Sequence, residues 1–362
     1  MSRATTPGEL AQRFTQQATA CAELGSDLYG RLGHLLAQDI ADSGPTWGLI
    51  AEAGDLRFGQ AAPLRLLGAA HRLALTGDAP RWAEVLPSCG GAAPTADVEL
   101  LDRWLDLVAS HHDELAEGLQ REVQTNEVAR ASGLAFALAQ AGLTEARLVE
   151  IGCSGGLNLG LDAFEVDLGG LILGKAGSDV RLRPEVRTAA RSRSGVGATL
   201  PEVTGLPEIT GRVGIDVHPI DPRTDEGRLT LLSFVWPDQT ERVERVRAAI
   251  GLAVSLPTEL LATGGADRTA EVLGGVLQRG GACVVMQSIM WQYVPPEHRW
   301  QITESIEQAG RSAGASEPLA WIRFEPDPWD RRRAAIWLRR WPDGGDRLVA
   351  HVDYHGRWIE PL

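Results

Sequence analysis

The sequence predicts an α/β fold in which an all-helical region precedes a mostly parallel sheet. Over residues 1–142, apolar side chains recur at spacings of three and four, as on the buried faces of helices. From residue 143 onwards, short apolar runs alternate with helical patterns, which indicates βαβ units and parallel pairing. The last two runs flank Pro342-Asp343-Gly344-Gly345, so we expect the sheet to end in an antiparallel hairpin.

The helical stripes of the N-terminal region are bounded by residues that start or stop helices. Gly25 and Gly77 follow two of the stripes, and Ser26 is placed to cap the helix after Gly25. A last helix is predicted to begin at Thr125 and to end before Gly142. The four apolar stripes before this helix run over Leu10–Leu24, Leu28–Ile40, Leu64–Leu75 and Val98–Leu119.

Strand character appears in six short runs of the C-terminal region. They are Leu148–Ile151, Arg212–Val217, Ala282–Ser288, Leu319–Phe324, Ala335–Trp341 and Leu348–Tyr354. Phe164–Leu168 and Leu171–Leu173 flank two glycines and predict a hairpin, inserted into the sheet domain at about 163–210. We therefore predict two domains, an all-helical lid or substrate domain over 1–142 and a sheet domain over 143–362.

Composition excludes several classes of protein. The chain has 362 residues, with 35 basic and 48 acidic side chains and a formal net charge of −13. An acidic surface repels a phosphate backbone, so nucleic acid is not an expected partner. The four cysteines are scattered without a CxxC pair, and we expect no metal site. Because no apolar run suits a signal peptide or a membrane span, we expect a cytoplasmic protein without a membrane partner.

The most informative stretch is the glycine-rich turn after the first predicted strand. It reads Gly152-Cys153-Ser154-Gly155-Gly156 and precedes a helical pattern, an arrangement that exposes backbone N–H groups to a ligand. A Walker loop would need a lysine after the turn, and a dinucleotide fingerprint would need a glycine at Ser154. The alternative is a tight structural turn beside a buried glutamate.

The glycine turn resembles the first motif of the class I S-adenosylmethionine-dependent methyltransferases. The matching residues are Glu150, Gly152, Ser154 and Gly156, with one Gly-to-Ser departure. The resemblance implies a Rossmann-like methyltransferase sheet and S-adenosyl-L-methionine as the cofactor. It also implies that Glu150 orients the turn and binds the cationic α-amino group of the cofactor, directly or through water. The resemblance adds Asn158 to the cofactor-binding candidates.

The same resemblance implies further cofactor contacts outside the turn. Asp216 closes the predicted second strand and would take the ribose hydroxyls, with Asp167 as a rival at a shorter spacing. Asp267 lies in a turn that would contact adenine, unless it caps a helix instead. Gln124 and Asn126 open the last N-terminal helix, and we expect them to reach the methionine end of the cofactor or the substrate.

Substrate-facing residues are expected where the fourth parallel strand ends, at Ser288, Trp291 and Tyr293. A packed loop is the alternative for the two aromatic residues. The sequence singles out no general base, and the candidates are Gln287, Glu127 and His218. In contrast, His71 lies on an apolar helical stripe and is predicted to be a core histidine.

Motifs spread over nearly the whole chain resemble a bacterial, mainly actinobacterial family, domain of unknown function 2332. Besides the glycine turn, they are Leu67–Leu73, Pro87–Gly91, Val123–Val128, Phe234–Gln239, Trp291–Tyr293 and His355–Trp358. Gln287 departs from the pattern of this family, which often has histidine there.

Together these features favour an S-adenosylmethionine-dependent methyltransferase that acts on a small molecule. Three alternatives stay open: a non-catalytic protein that binds the cofactor or a nucleoside for regulation, an enzyme of the same fold that transfers another group, and an interaction protein whose glycine turn is purely structural. The sequence leaves the oligomeric state open, with a homodimer as one option.

Overall fold

Residues 6–53, 61–124, 127–187 and 205–362 are described by a computed structural model, and the chain divides into two units. The first unit comprises Met1–Asn126 and Asp225–Arg247, and the second comprises Glu127–Thr224 and Ala248–Leu362. These units are groups of residues that pack together, and they do not test the predicted domains, 1–142 and 143–362. That division stays a prediction.

Helices build the first unit, and they form where apolar side chains recur at helical spacing. They are α1 (Pro7–Glu23), α2 (Asp27–Ala41), α3 (Pro45–Glu52), α4 (Ala62–Thr76), α5 (Pro80–Ala83), α6 (Asp97–Ser110), α7 (His112–Gly118) and α9 (Asp225–Ser233), with the start of α10 (Thr240–Ser255). As predicted, the Ser26 hydroxyl caps α2 by accepting a hydrogen bond from the Tyr29 amide. No helix of the described ranges is long and apolar enough to cross a membrane.

The segment that connects two strands of the sheet completes the helical unit. Asp238, which follows α9, accepts hydrogen bonds from the Ser26 hydroxyl (2.6 Å) and from the Leu28 amide (2.9 Å). The Gln239 side chain donates to the Leu24 carbonyl (2.9 Å). The motif Phe234–Gln239 therefore binds the junction between α1 and α2, although more than 200 residues separate the two segments in the sequence.

His71 confirms the expectation of a core histidine. It is fully buried, with Nδ1 3.1 Å from the Ser233 carbonyl oxygen and Nε2 2.8 Å from the Ser88 hydroxyl. Burial lowers the pKa of His71 to about 4, so the ring is neutral at physiological pH. Both ring nitrogens are occupied within the unit, and the residue serves packing.

A nine-stranded, mostly parallel sheet forms the centre of the second unit. Its strands lie in the order β5-β12-β11-β10-β9-β8-β1-β6-β7. Their bounds are β1 (Glu145–Ile151), β5 (Glu185–Val186), β6 (Glu208–Asp216), β7 (Glu259–Ala262), β8 (Cys283–Ser288), β9 (Leu319–Pro326), β10 (Ala334–Trp341), β11 (Arg347–Val352) and β12 (Trp358–Pro361).

Parallel pairing joins β7, β6, β1, β8 and β9, whereas β9 through β12 pair antiparallel. The predicted C-terminal hairpin is present as β10 and β11, and the antiparallel part extends to both of its neighbours. The last parallel pair joins β12 to β5 at the edge of the sheet. The described sheet is thus mixed, with its parallel part around β1.

Helices lie on both faces of the sheet. Val149 and Ile151 point into an apolar cluster with residues of α11 (Thr269–Leu277) and α12 (Pro296–Ser312). On the other side α8 (Ala131–Gln140) packs on β9 and β10, where Gly133 lies against Ile336 and Phe324. We assigned this helix to the N-terminal region; it begins at Ala131, and the predicted start at Thr125 lies outside the described residues.

The insertion predicted at about 163–210 contains the expected hairpin. β2 (Glu165–Asp167) and β3 (Ile172–Gly174) pair antiparallel, and β4 (Arg181–Leu182) adds a parallel third strand to this small separate sheet. The rest of the insertion supplies β5 to the main sheet, and its residues 188–204 lie outside the described ranges.

Gly214 of β6 packs closely against the side chains of Cys153 and Leu260. A Cβ at this position would lie 2.6 Å from Cys153 Sγ and 2.8 Å from Leu260 Cδ2. We expect Gly214→Ala to lower the free energy of unfolding by about 1–3 kcal/mol, because the core cannot take the extra carbon without shifting. Urea denaturation checks this value.

Gly251→Ala in α10 is the matched control for that experiment. No atom outside the helix lies within 4 Å of its added Cβ, so alanine should leave the stability unchanged or raise it by up to about 1 kcal/mol. Equal stabilities of the two variants would show that Gly214 is not tightly packed.

Candidate functional site

The candidate site lies at the carboxyl edge of the parallel strands. β1 has β6 on one side and β8 on the other, so the chain reverses direction across the sheet at β1. Ligands of open α/β sheets bind in the crevice that such a reversal leaves at the carboxyl ends of the strands. The glycine turn follows β1 at this edge.

Three residues of the turn adopt left-handed backbone conformations. The φ angles are +71° at Gly152, +50° at Ser154 and +66° at Gly156. The Gly156 amide donates to the Cys153 carbonyl (2.7 Å), which closes the turn, and a 3-10 helix over Leu157–Ala163 follows. The path that the chain takes through the turn therefore depends on residues that tolerate positive φ.

The expectation that the turn exposes its backbone N–H groups is largely wrong. The Gly152 amide donates to the Ile215 carbonyl (2.8 Å), and the Ser154 amide donates to Asp216 Oδ2 (2.8 Å). The end of β6 lies directly beside the turn and supplies both acceptors. The turn is held by its neighbouring strand, and a ligand would meet its surface rather than a row of unpaired amides.

Asp216 ends β6 directly beside the glycine turn. Its side chain is partly exposed, and besides the Ser154 amide it accepts a hydrogen bond from the His218 amide at Oδ1 (3.1 Å). An ionised carboxylate offers about four acceptor positions. Two backbone donors therefore orient Asp216 and leave acceptor capacity on both of its oxygens.

Glu150 lies on β1 two residues before the turn and is buried, 2% exposed. Its Oε1 accepts a weak hydrogen bond from Asn158 Nδ2 (3.4 Å), and Oε2 has no hydrogen-bond partner among the described residues. Burial raises the pKa of Glu150 to about 8, and the nearby Asp216 adds to the shift while Arg130 opposes it. The carboxyl group is therefore largely protonated at neutral pH.

Sequence analysis missed a second buried acid, Glu325 of β9. One of its oxygens, Oε1, accepts three hydrogen bonds: from Gln287 Nε2 (3.0 Å), the Met290 amide (3.2 Å) and the Trp291 amide (3.3 Å). Burial raises the pKa of Glu325, against the effect of these donors and of Arg130. The acid thereby joins the end of β9 to the segment that follows β8.

Gln287 bridges two buried groups. Its Oε1 accepts from Trp321 Nε1 (3.1 Å), and its Nε2 donates to Glu325. An amide does not titrate near neutral pH, and here both of its polar atoms are occupied. The geometry gives Gln287 a bridging position, and its candidacy as a catalytic base has no support in these contacts.

Arg130 is the buried cation of the site, and it too was missed. The guanidinium donates to the Tyr354 carbonyl (2.9 Å) and to the Ser288 carbonyl (3.4 Å), and it acts electrostatically on both Glu150 and Glu325. Glu127, a candidate base, accepts a hydrogen bond from the Ala129 amide and so caps the turn that leads to Arg130. No local pattern distinguishes Arg130 or Glu325 from the other charged residues of the sequence.

The other candidates are spread around the same edge. Ser288 ends β8, and Trp291 is half-buried against the core of the sheet, which agrees with a packed loop, whereas Tyr293 is 75% exposed. Asp267 and His218 are exposed in the turns after β7 and β6.

Three candidates lie in the small sheet, in the first unit or outside the described ranges. Asp167 accepts from the Gly170 amide (2.8 Å) in the small sheet, where it shapes a turn. Gln124 belongs to the first unit, and Asn126 lies outside the described residues. The structure thus brings Glu150, the glycine turn, Asn158 and Asp216 together, and leaves the roles of all site candidates as predictions.

A shallow hollow beside the turn encloses only about 10 Å³, room for about one water molecule. It is lined by Gly155, Gly156, Pro222, Arg223, Ala253, Leu256, Thr258 and Leu260. Typical ligand sites measure about 300–1,000 Å³, so this surface would have to widen to hold a whole nucleoside cofactor. Among the described residues, no group of three or more His, Cys, Asp or Glu side chains is placed to hold a metal ion.

A protein-family model matches the chain over residues 11–360. The matching family is described as an uncharacterized protein conserved in bacteria, domain of unknown function 2332. No curated protein and no solved structure matches the chain.

The raised pKa of Glu150 predicts a pH-dependent stability. Because the folded-state pKa (about 8) exceeds the unfolded value (about 4.5), this residue's contribution to the unfolding free energy falls as pH rises between these values. Glu150→Gln removes the ionisation, so the stability of the variant relative to the unaltered chain should increase over this window and level off above it.

Denaturant unfolding between pH 4 and pH 9 measures the effect. Glu145→Gln, at the exposed start of the same strand, is the control and should follow the unaltered chain. A stability difference for Glu150→Gln that does not change with pH would contradict the burial argument.

The bridge at Gln287 predicts which substitutions are tolerated. Neutral histidine offers one donor and one acceptor, so Gln287→His can still pair with Glu325 and Trp321. Gln287→Leu leaves the buried Trp321 N–H unpaired, and we expect a loss of about 1–3 kcal/mol in unfolding free energy. Equal destabilisation by the two variants, measured in urea, would show that the bridge is unimportant.

Proposed function

Since the chain belongs to the uncharacterized bacterial family of domain of unknown function 2332, whose description names no activity, we propose a function from the site itself. The second unit binds S-adenosyl-L-methionine at the carboxyl edge of β1 and β6, and the protein transfers the methyl group to a small molecule. The position of Asp216, the order of the strands and the chemistry of the site residues support this proposal.

Asp216 is the observation that carries the proposal. A nucleoside presents two vicinal hydroxyl donors on its ribose, and the Asp216 carboxylate keeps acceptor capacity on both oxygens after binding the Ser154 and His218 amides. Those two amides fix its orientation, so little side-chain freedom is lost when a ligand binds. The acid stands where a sheet of this order places its ligands, beside the turn that follows β1.

Strand order supplies the second argument. The strands β7, β6, β1, β8 and β9 follow the 3-2-1-4-5 order of doubly wound sheets that bind nucleotides. Glu150 stands two residues before Gly152, as in the methyltransferase motif that the turn resembles. The antiparallel strands from β10 to β12 extend this sheet in a meander and leave the crevice at β1 unaltered.

The residues of the site also fit the cofactor chemically. The buried Oε2 of Glu150 lacks a partner among the described residues, and as a protonated carboxyl group it can donate a hydrogen bond toward a cofactor carboxylate. The small residues of the turn let a ligand approach the backbone closely. This revises the sequence-based expectation that an ionised Glu150 answers the α-amino group.

Methyl transfer requires little acid–base catalysis from the protein. The bound cofactor supplies a methyl group activated by a cationic sulfur. Alignment and exclusion of water are then the main tasks of the protein, and such positioning is worth roughly 7–11 kcal/mol in favourable cases. Glu325 and Gln287 hold the segment after β8, where the accepting molecule would lie, and Arg130 donates to the carbonyl of Ser288, the last residue of β8.

A regulatory protein that binds the same cofactor without turnover is the second candidate. The contacts of Gln287 at the end of β8 favour this candidate. The amide does not titrate, and both of its polar atoms are occupied, so it cannot act as a base toward a substrate. Incubation with a labelled methyl donor and a bacterial metabolite pool distinguishes the two. Label in a small molecule supports the enzyme, and cofactor binding without transfer supports the regulator.

Isothermal titration with S-adenosylmethionine and S-adenosylhomocysteine tests the cofactor site. We expect micromolar binding, and an affinity reduced roughly 5- to 150-fold in Asp216→Asn, since the amide replaces one acceptor oxygen by a donor and leaves ribose hydroxyls unpaired at a cost of about 1–3 kcal/mol. Asp167→Ala is the control, an acid of the small sheet whose loss should leave the affinity unchanged. No binding of either compound by the unaltered chain would refute the proposed cofactor.

A further inference from the structure

The segment that follows β8 adopts a strained backbone. Ile289 has φ +52°, a left-handed conformation that a β-branched residue adopts at a high steric cost. Strain of this kind persists only where the surrounding contacts enforce it. The contacts that enforce it here are few and can be identified.

Glu325 is the main anchor of the strained segment. Its Oε1 accepts from the amides of Met290 and Trp291, the two residues that follow Ile289. The Ile289 amide itself donates to the Phe324 carbonyl (2.8 Å), one residue before Glu325. Gln287, held by Trp321, donates to the same oxygen and keeps the carboxylate in place.

The anchored segment places Met290 over the glycine turn. A Cβ built on Gly152 would lie 2.9 Å from Met290 Cβ, 3.3 Å from its Cγ and 3.7 Å from its Cε. The Met290 side chain, which belongs to the apolar core cluster of the sheet, therefore occupies the space into which a Cβ at Gly152 would point. This is the surface that the amino-acid end of the proposed cofactor would have to approach.

We propose that Glu325 is a positioning residue that controls access to the glycine turn, because it holds Met290 over Gly152 and a cofactor reaches this glycine only when Met290 is displaced. This inference rests on the proposed function for the identity of the ligand. The strained φ of Ile289 favours displacement of the segment, and the two hydrogen bonds from the Met290 and Trp291 amides to Glu325 oppose it. The Ile289–Phe324 backbone hydrogen bond and a weak contact of Gln287 Nε2 with Met290 Sδ (3.7 Å) also hold the segment, but Glu325 is the side chain whose loss frees two of its amides at once.

Amide hydrogen exchange of the ligand-free protein tests the anchoring role. Glu325→Gln keeps the size of the side chain but weakens the acceptor, and we expect the Met290 and Trp291 amides to exchange at least tenfold faster. The amides of Val284 and Val285 within β8 are the internal control and should exchange as in the unaltered chain. Unchanged exchange at Met290 and Trp291 would overturn the anchoring role, whatever the protein binds.

Titration of Met290 variants with S-adenosylmethionine tests the access role. Met290→Ala removes the covering side chain, so its affinity should rise at least fivefold, whereas Met290→Leu keeps the bulk and should bind as the unaltered chain does. A side chain with a merely structural role would weaken binding when truncated, which is the opposite sign, and weaker or equal binding by Met290→Ala would overturn the proposal. If neither the unaltered chain nor Met290→Ala binds, the access role fails with the proposed cofactor, and the exchange experiment still decides whether Glu325 anchors the segment.

Discussion

The hydrogen bond between the Ser154 amide and the Asp216 carboxylate is the contact on which the site depends. It joins the turn after β1 to the end of β6, at the point where the strand order reverses. A charged acceptor makes it stronger than an ordinary backbone contact. The same carboxylate is the ligand acceptor in the proposed function, so one side chain both helps to hold the turn and would bind the ribose.

Two buried acids share one buried cation at this edge. Glu150 and Glu325 both interact electrostatically with Arg130, whose guanidinium also holds the carbonyls of Ser288 and Tyr354. A single positive charge does not fully compensate two buried carboxylates, which agrees with the raised pKa of each. A neutral Glu150 can serve as a hydrogen-bond donor, and this extends what the site offers a ligand beyond what an ionised carboxylate provides.

Local patterns predicted the central strands, the glycine turn and the position of Asp216, because each is determined by a short stretch of sequence. The same holds for His71, whose place on an apolar stripe indicates burial. Glu325 and Arg130 could not be found in this way, since their importance comes from partners 34 to 224 positions away in the chain. The exposed amides expected in the turn were wrong for a related reason: the acceptors that occupy them belong to β6, and its register beside β1 is a property of the folded sheet.

A crystal structure of the protein with S-adenosylhomocysteine measures most directly whether this edge is a cofactor site. Our account predicts a ribose whose two hydroxyls donate to Asp216, with the amino-acid end beside Gly152 and the Met290 side chain moved away from that glycine. A nucleoside bound elsewhere on the chain, or Met290 still in contact with Gly152 in a fully occupied complex, would contradict it.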